Sequence, residues 1–103
     1  MGDESVRYEF SANVYYYSSS GGMGGWTFVS LPKDLSADIR DRFQWLEKGW
    51  GRMTVTAKVG NSEWPTAIWF DTKQDTYLLP LKAQIRKKEN LITGQDVNIT
   101  VVI

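Results

Sequence analysis

Four stretches of this chain alternate apolar and polar residues with a period of two, and a β-strand is the regular backbone on which that period gathers the apolar side chains on one face. In the first, Val6, Tyr8, Phe10, Ala12, Val14 and Tyr16 share one parity, and Arg7, Glu9, Ser11 and Asn13 share the other. This pattern predicts one half-buried strand from Val6 to Tyr17. Met53, Val55, Ala57 and Val59 repeat the pattern against Thr54, Thr56 and Lys58, and Trp64, Thr66, Ile68 and Phe70 form a third face. Val97, Ile99, Val101 and Ile103 make the fourth. Pro65 has no N–H for a ladder, so it implies a sheet edge or a bulge. "WTFVSL" and "TYLLPL" read as further extended segments.

Turn-forming residues separate these strands. "SSSGGMGG" is a loop of small residues, "GWG" at 49–51 is a turn, and Gly60-Asn61 suits the positive φ of a tight hairpin. Asp71 to Asp75 turn the chain again, their side chains able to bond local backbone. Two brief helices remain. In "KDLSADIRDRF", residues 33–43, Leu35, Ile39 and Phe43 recur every four residues, with Asp34 or Ser36 as candidate caps. The second covers about Lys82 to Lys88. Short, evenly spaced strands with two short helices predict a mostly β fold, a small closed barrel.

A weak internal repeat sharpens that expectation. "FVSLPKDLSADIRDRF…GRMTVTAKV" and "TYLLPLKAQIRKKENLITGQDVNITVVI" both run strand, Leu-Pro, helix with Ile-Arg, Gly turn, alternating strand. Leu31-Pro32 matches Leu79-Pro80, and Ile39-Arg40 matches Ile85-Arg86. Two such halves predict a pseudo-two-fold barrel with Arg40 and Arg86 in equivalent places.

The chain is 103 residues long, enough for one core, so residues 1–103 are expected to form a single domain. Twelve Lys and Arg balance twelve Asp and Glu. A neutral chain lacks the summed positive field of a general nucleic-acid or membrane-surface binder. There is no Cys and no His. Thiolate nucleophiles, zinc–thiolate sites and the commonest catalytic base are therefore excluded. The carboxylates are scattered, and "DTKQD" lacks the spacing of a calcium loop. No enzyme activity, metal or cofactor is expected. No apolar run reaches the roughly 18–20 residues of a membrane span, and the acidic N-terminus reads as neither a secretory nor a myristoylation signal. The expected location is the cytoplasm.

"GWTFVSLPKDLSADIR", "GWGRMTVTAKVGNSEWPT" and "YLLPLKAQIRKKENLITGQDVNITV" together resemble a bacterial and archaeal family known as a domain of unknown function. The resemblance implies a double-split β-barrel, often followed in that family by a bacteriocin-protection (YdeI/OmpD-associated) type segment that is not seen in this chain. It rests on Trp26, Leu31-Pro32, Gly49-Trp50-Gly51, Val55, Gly60, Trp64, Thr66, Leu79-Pro80, Lys82, Arg86 and Gly94. The sequence departs from the family pattern at "WPTAIWF", where Ala67 replaces a hydroxyl residue and Asp71 stands in place of proline. The broad architecture is shared with AbrB-type DNA-binding barrels, a likeness of fold rather than of function.

The stretch "LPLKAQIRKK" concentrates Lys82, Arg86, Lys87 and Lys88 in a neutral chain. Lys87 and Lys88 suit the negative end of a helix, and Arg86 can pair with Glu89. Lys82, at the helix start, gains nothing from the dipole. Arg40, Arg52, Lys82 and Arg86, with Trp50 exposed between two glycines, are the candidate lining of an anion-accepting groove. Trp26 and Trp64 are expected in the core. The loop "SSSGGMGG" has neither a cation nor a helix behind it, so a phosphate-loop reading does not hold. The resulting expectation is a binding or interaction module, monomeric or weakly dimeric, with a small anion or a protein as partner. The alternative is a nucleic-acid-binding barrel of AbrB-type architecture.

Overall fold

A computed structural model of the chain describes residues 5–18, 25–49 and 51–103. Of the predicted loop "SSSGGMGG", the inner residues 19–24 lie outside the described residues, as does Trp50, while Ser18 ends one strand and Gly25 begins the next. In chain order the elements are β1 (Arg7–Asn13), β2 (Tyr15–Ser18), β3 (Gly25–Ser30), α1 (Lys33–Phe43), a 3₁₀ turn (Gln44–Leu46), β4 (Arg52–Val59), β5 (Ser62–Asp71), β6 (Thr76–Pro80), α2 (Ala83–Glu89) and β7 (Asp96–Val102).

All the strands join one antiparallel sheet in the order β1-β7-β4-β5-β6-β3-β2. The alternation is kept where one face meets the core. Tyr8 and Phe10, then Met53, Val55, Ala57 and Val59, then Val97, Ile99 and Val101 are all buried. Ile39 of α1 and Ile85 of α2 cover this core, together with Leu31, Leu79 and Leu81.

The sheet is an open half-barrel, which corrects the closed, double-split barrel expected from the sequence. Its two edges, β1 and β2, are successive pieces of the segment read as one strand from Val6 to Tyr17, and no ladder joins them. The break falls at Val14. Its N–H donates to Gln95 O at 2.9 Å and its carbonyl accepts from Gly94 N at 2.7 Å, while the ladder with β3 starts only at Tyr15. Beyond the break the parity is lost, and Tyr16, expected inward, is exposed.

The two repeats lie against each other. β3 pairs with β6 through Val29 and Leu79, and β4 pairs with β7 through Ala57 and Val101. The hydrogen bonds are reciprocal: Leu31 N donates to Tyr77 O and Leu81 N donates to Thr27 O, each at 2.9 Å. Leu31 and Tyr77 therefore correspond to Leu81 and Thr27, at a spacing of fifty residues. Leu31 corresponds to Leu81 and not to Leu79, so the Leu-Pro alignment is two residues out. Under this register Arg86 corresponds to Ser36, and Arg40 and Arg86 are not equivalent.

Helix ends also differ in part from expectation. Pro32 stands at the cap of α1 without a side-chain bond; Asp34 Oδ1 accepts the first-turn Leu35 N–H at 2.9 Å, as expected, whereas Ser36 does not take that part. Ser36 is fully buried, and its Oγ accepts from Tyr77 N at 3.0 Å. α2 ends at Asn90, which takes the left-handed conformation at φ 56°.

Candidate functional site

β5 is a long strand used in two parts. Residues 62–69 pair with β4, whereas only Trp69 to Asp71 pair with β6. Pro65 and Pro80 have no N–H to carry the β5–β6 ladder further. A gap is left between the first half of β5 and the end of β6, and α2 follows directly from β6 beside it.

A cavity of about 260 Å³ occupies this place. Trp64, Pro65 and Thr66 wall it from β5, Trp26 and Thr27 from β3, and Pro80 with Leu81 from the end of β6. Lys82 and Arg86, one helical turn apart, supply its charge. No Asp or Glu among the described residues lines it. Arg86 donates Nε–H to the Leu81 carbonyl at 2.9 Å, so one of its five N–H donors is committed. The expected pair with Glu89 is not formed, because Glu89 accepts from the Ser62 hydroxyl. The ion pairs among the described residues are Arg7–Glu9, Arg40–Glu47 and Arg42–Asp38, so Lys82 and Arg86 face no carboxylate at ion-pair distance.

Arg40 lies elsewhere. Its guanidinium carbon sits 3.8 Å from the Phe70 ring centroid, and its Nε is 3.6 Å from Glu47 Oε2. The Tyr77 hydroxyl donates to the same Glu47 oxygen, and Phe70 packs edge-on against Tyr77 at 5.1 Å. Burial first, then the bond to Glu47, push the Tyr77 hydroxyl well above the ordinary phenol range. Arg40 lines two cavities of about 510 and 420 Å³, neither of which includes Lys82 or Arg86. Its charge is engaged by Glu47, and its face by Phe70. Arg52 is exposed, with its guanidinium carbon 6.0 Å from the Trp69 ring centroid. Of the predicted site residues, the structure brings Lys82 and Arg86 together and sets Arg40 and Arg52 apart from them.

Sequence reasoning missed the walls. Trp64 is buried as expected, but Trp26 is 61% exposed and corrects its assignment to the core. The signal was present in Pro65 and Pro80, which forbid a continuous ladder at the place where the cavity forms. A larger trough of about 560 Å³ runs past Arg7, Glu9, Ser11 and Lys58. There Arg7 pairs with Glu9, which leaves Lys58 as a single cation rather than a pair.

Fold and site define a small antiparallel β protein with two covering helices and a cation-lined cavity beside the shorter one. Residues 10–101 match the family described as "Domain of unknown function (DUF1905)", and the chain belongs to that family. The comparison with curated proteins gives no match.

Proposed function

We propose that this chain is a small binding module, without catalytic activity of its own, that accepts an anionic ligand at Lys82 and Arg86. The observation that carries this reading is the composition of their cavity among the described residues: two cations, apolar and hydroxyl-bearing walls, and no carboxylate. A cation on a surface normally gains little from a distant counter-charge, but a pair held in a shared concavity gains a charge-assisted hydrogen bond from each side when an anion enters. Arg86 is pre-oriented by its bond to Leu81, which lowers the ordering cost of binding.

No helix among the described residues is long and apolar enough to cross a membrane. The module is read as cytoplasmic, of bacterial or archaeal origin, and monomeric or weakly dimeric. Inorganic phosphate titrated into ¹⁵N-labelled protein tests the site. Shifts centred on Thr27, Thr66 and the Leu81–Arg86 segment are expected. Equal shifts at Lys58, Lys73, Lys87 and Lys88 would mean general ion screening and would end this reading.

A further inference from the structure

The cation-lined cavity continues into a second groove that carries no charge. This groove, about 210 Å³, is lined by Trp26, Phe28, Trp69, Leu78 and Pro80. Trp26 and Pro80 line both spaces, so the two are contiguous. Strand register explains the cluster. Phe28 stands opposite Pro80 and Trp69 opposite Leu78, which sets these side chains as cross-strand neighbours on the outer face. The alternate residues Thr27, Val29, Tyr77 and Leu79 are buried in the core. Tyr15 extends the row, its ring 5.5 Å from that of Phe28.

Trp26 is exposed and Phe28, Trp69, Leu78 and Pro80 are only half-buried, so folding leaves part of this apolar row facing water, surface whose burial would stabilise a complex at about 25 cal/mol per Å². Such a row beside two cations that meet no carboxylate among the described residues matches a ligand with both characters. We infer that the ligand is a small aromatic anion: a planar ring system bearing a phosphate or carboxylate, its acid group at Lys82 and Arg86 and its ring against Trp26, Pro80 and the groove. This inference rests on the anion site proposed above. Flat walls of indole, phenyl and proline favour offset stacking with a ring over wrapping a flexible chain. Each space is smaller than the roughly 300 Å³ at which drug-sized pockets begin. A one- or two-ring compound suits them better than a polymer.

The test is calorimetric titration of the full chain at fixed ionic strength with inorganic phosphate, 1-naphthyl phosphate, octyl phosphate and an oligo(dT) strand. Naphthyl phosphate should bind at least about tenfold more tightly than inorganic phosphate. Phe28→Thr and Trp69→Thr keep strand propensity and should remove that gain without changing phosphate binding. Trp26→Ala, at a 61% exposed position, supplies a variant that spares the core and should also reduce the gain. Phosphate binding at Lys82 and Arg86 with no naphthyl gain would overturn this inference and leave the anion site standing. Octyl phosphate or oligo(dT) binding more tightly than naphthyl phosphate would overturn it in favour of a chain or a polymer. Phosphate binding unaffected by Lys82→Ala/Arg86→Ala would instead overturn the site beneath it.

Discussion

Ser36 and Arg86 stand at matching positions of the two repeats, and each reaches back to the carbonyl oxygen five residues earlier. Ser36 Oγ lies 3.5 Å from Leu31 O, and Arg86 Nε lies 2.9 Å from Leu81 O. The residues differ in what lies beyond that contact. Ser36 is fully buried and is also bonded by Tyr77 N, so the place that matches the Arg86 cavity is filled in its half. Arg86 is long, and its remaining donors line an open cavity. One position of the repeat is thus packed shut in one half and lines a cation site in the other.

Ser36→Ala should destabilise the fold by about 1–3 kcal/mol, because the buried Tyr77 N–H would lose its acceptor. Arg86→Ala gives up a part-exposed contact and should cost less, about 1 kcal/mol or below. Urea unfolding of both variants measures the difference. Equal costs would contradict the contrast between the filled and the open position.

The two cavity tryptophans should behave differently. Trp64 is 5% exposed, and Trp64→Ala should cost about 3–5 kcal/mol. Trp26→Ala should change stability by no more than about 0.5 kcal/mol. Chemical denaturation of the two variants checks this, and a Trp26→Ala cost like that of Trp64→Ala would place Trp26 in the core after all.

The Arg40–Glu47–Tyr77 cluster predicts how stability falls in alkali. The fold holds the Tyr77 proton more tightly than the unfolded chain, whose tyrosines titrate near pH 10. Below that pH both states keep the proton and the contribution is whole. Above it the unfolded state releases the proton first, so stability drops by up to about 1.4 kcal/mol per pH unit for this group. Tyr8, also raised by burial and its bond to Asp38, acts in the same direction. Tyr77→Phe should therefore flatten the decline above pH 10 without abolishing it. An unchanged slope between pH 10 and 11.5 would contradict this account of the cluster.

Much of the fold was legible, because a half-buried strand must alternate and a short amphipathic helix must recur every four residues. The predicted helix over 33–43 coincides with α1, and Gly60 takes the positive φ of 57° that its turn requires. The closing of the barrel was not legible. Val14 fits a continuous strand as well as a break, and the choice depends on its bonds to Gln95 and Gly94, far away in sequence. The inward face of "WTFVSL" was equally undetermined, since Trp26 and Phe28 suit a core as readily as Thr27 and Val29. Of the site, the cations were visible as an excess of four against the single neighbouring acid, Glu89. Their separation from Arg40 was hidden by a repeat alignment that matched Arg86 to Arg40, four residues from its counterpart Ser36.

Duplex DNA should bind no tighter than the general electrostatic level, roughly 10⁻⁴ to 10⁻⁶ M at physiological salt. Lys82, Arg86, Lys87 and Lys88 crowd about one short helix, and Arg40 and Arg42 are engaged by Glu47 and Asp38. Lys33, Lys48, Arg52, Lys58 and Lys73 are spread over different elements and loops and the net charge is zero, so no summed positive field supports a tight complex. Nanomolar, sequence-selective binding in a fluorescence anisotropy titration would restore the AbrB-type alternative.

The anion site itself is tested most directly by thermal unfolding in phosphate against chloride at matched ionic strength. Excluded anions stabilise any protein to some degree, so the comparison is made among variants and not with a single protein. The phosphate-specific rise in Tm should be present in the parent chain, persist in Lys87→Ala/Lys88→Ala and vanish in Lys82→Ala/Arg86→Ala. A rise of equal size in all three proteins would contradict the site and make the cluster a solvated helix face.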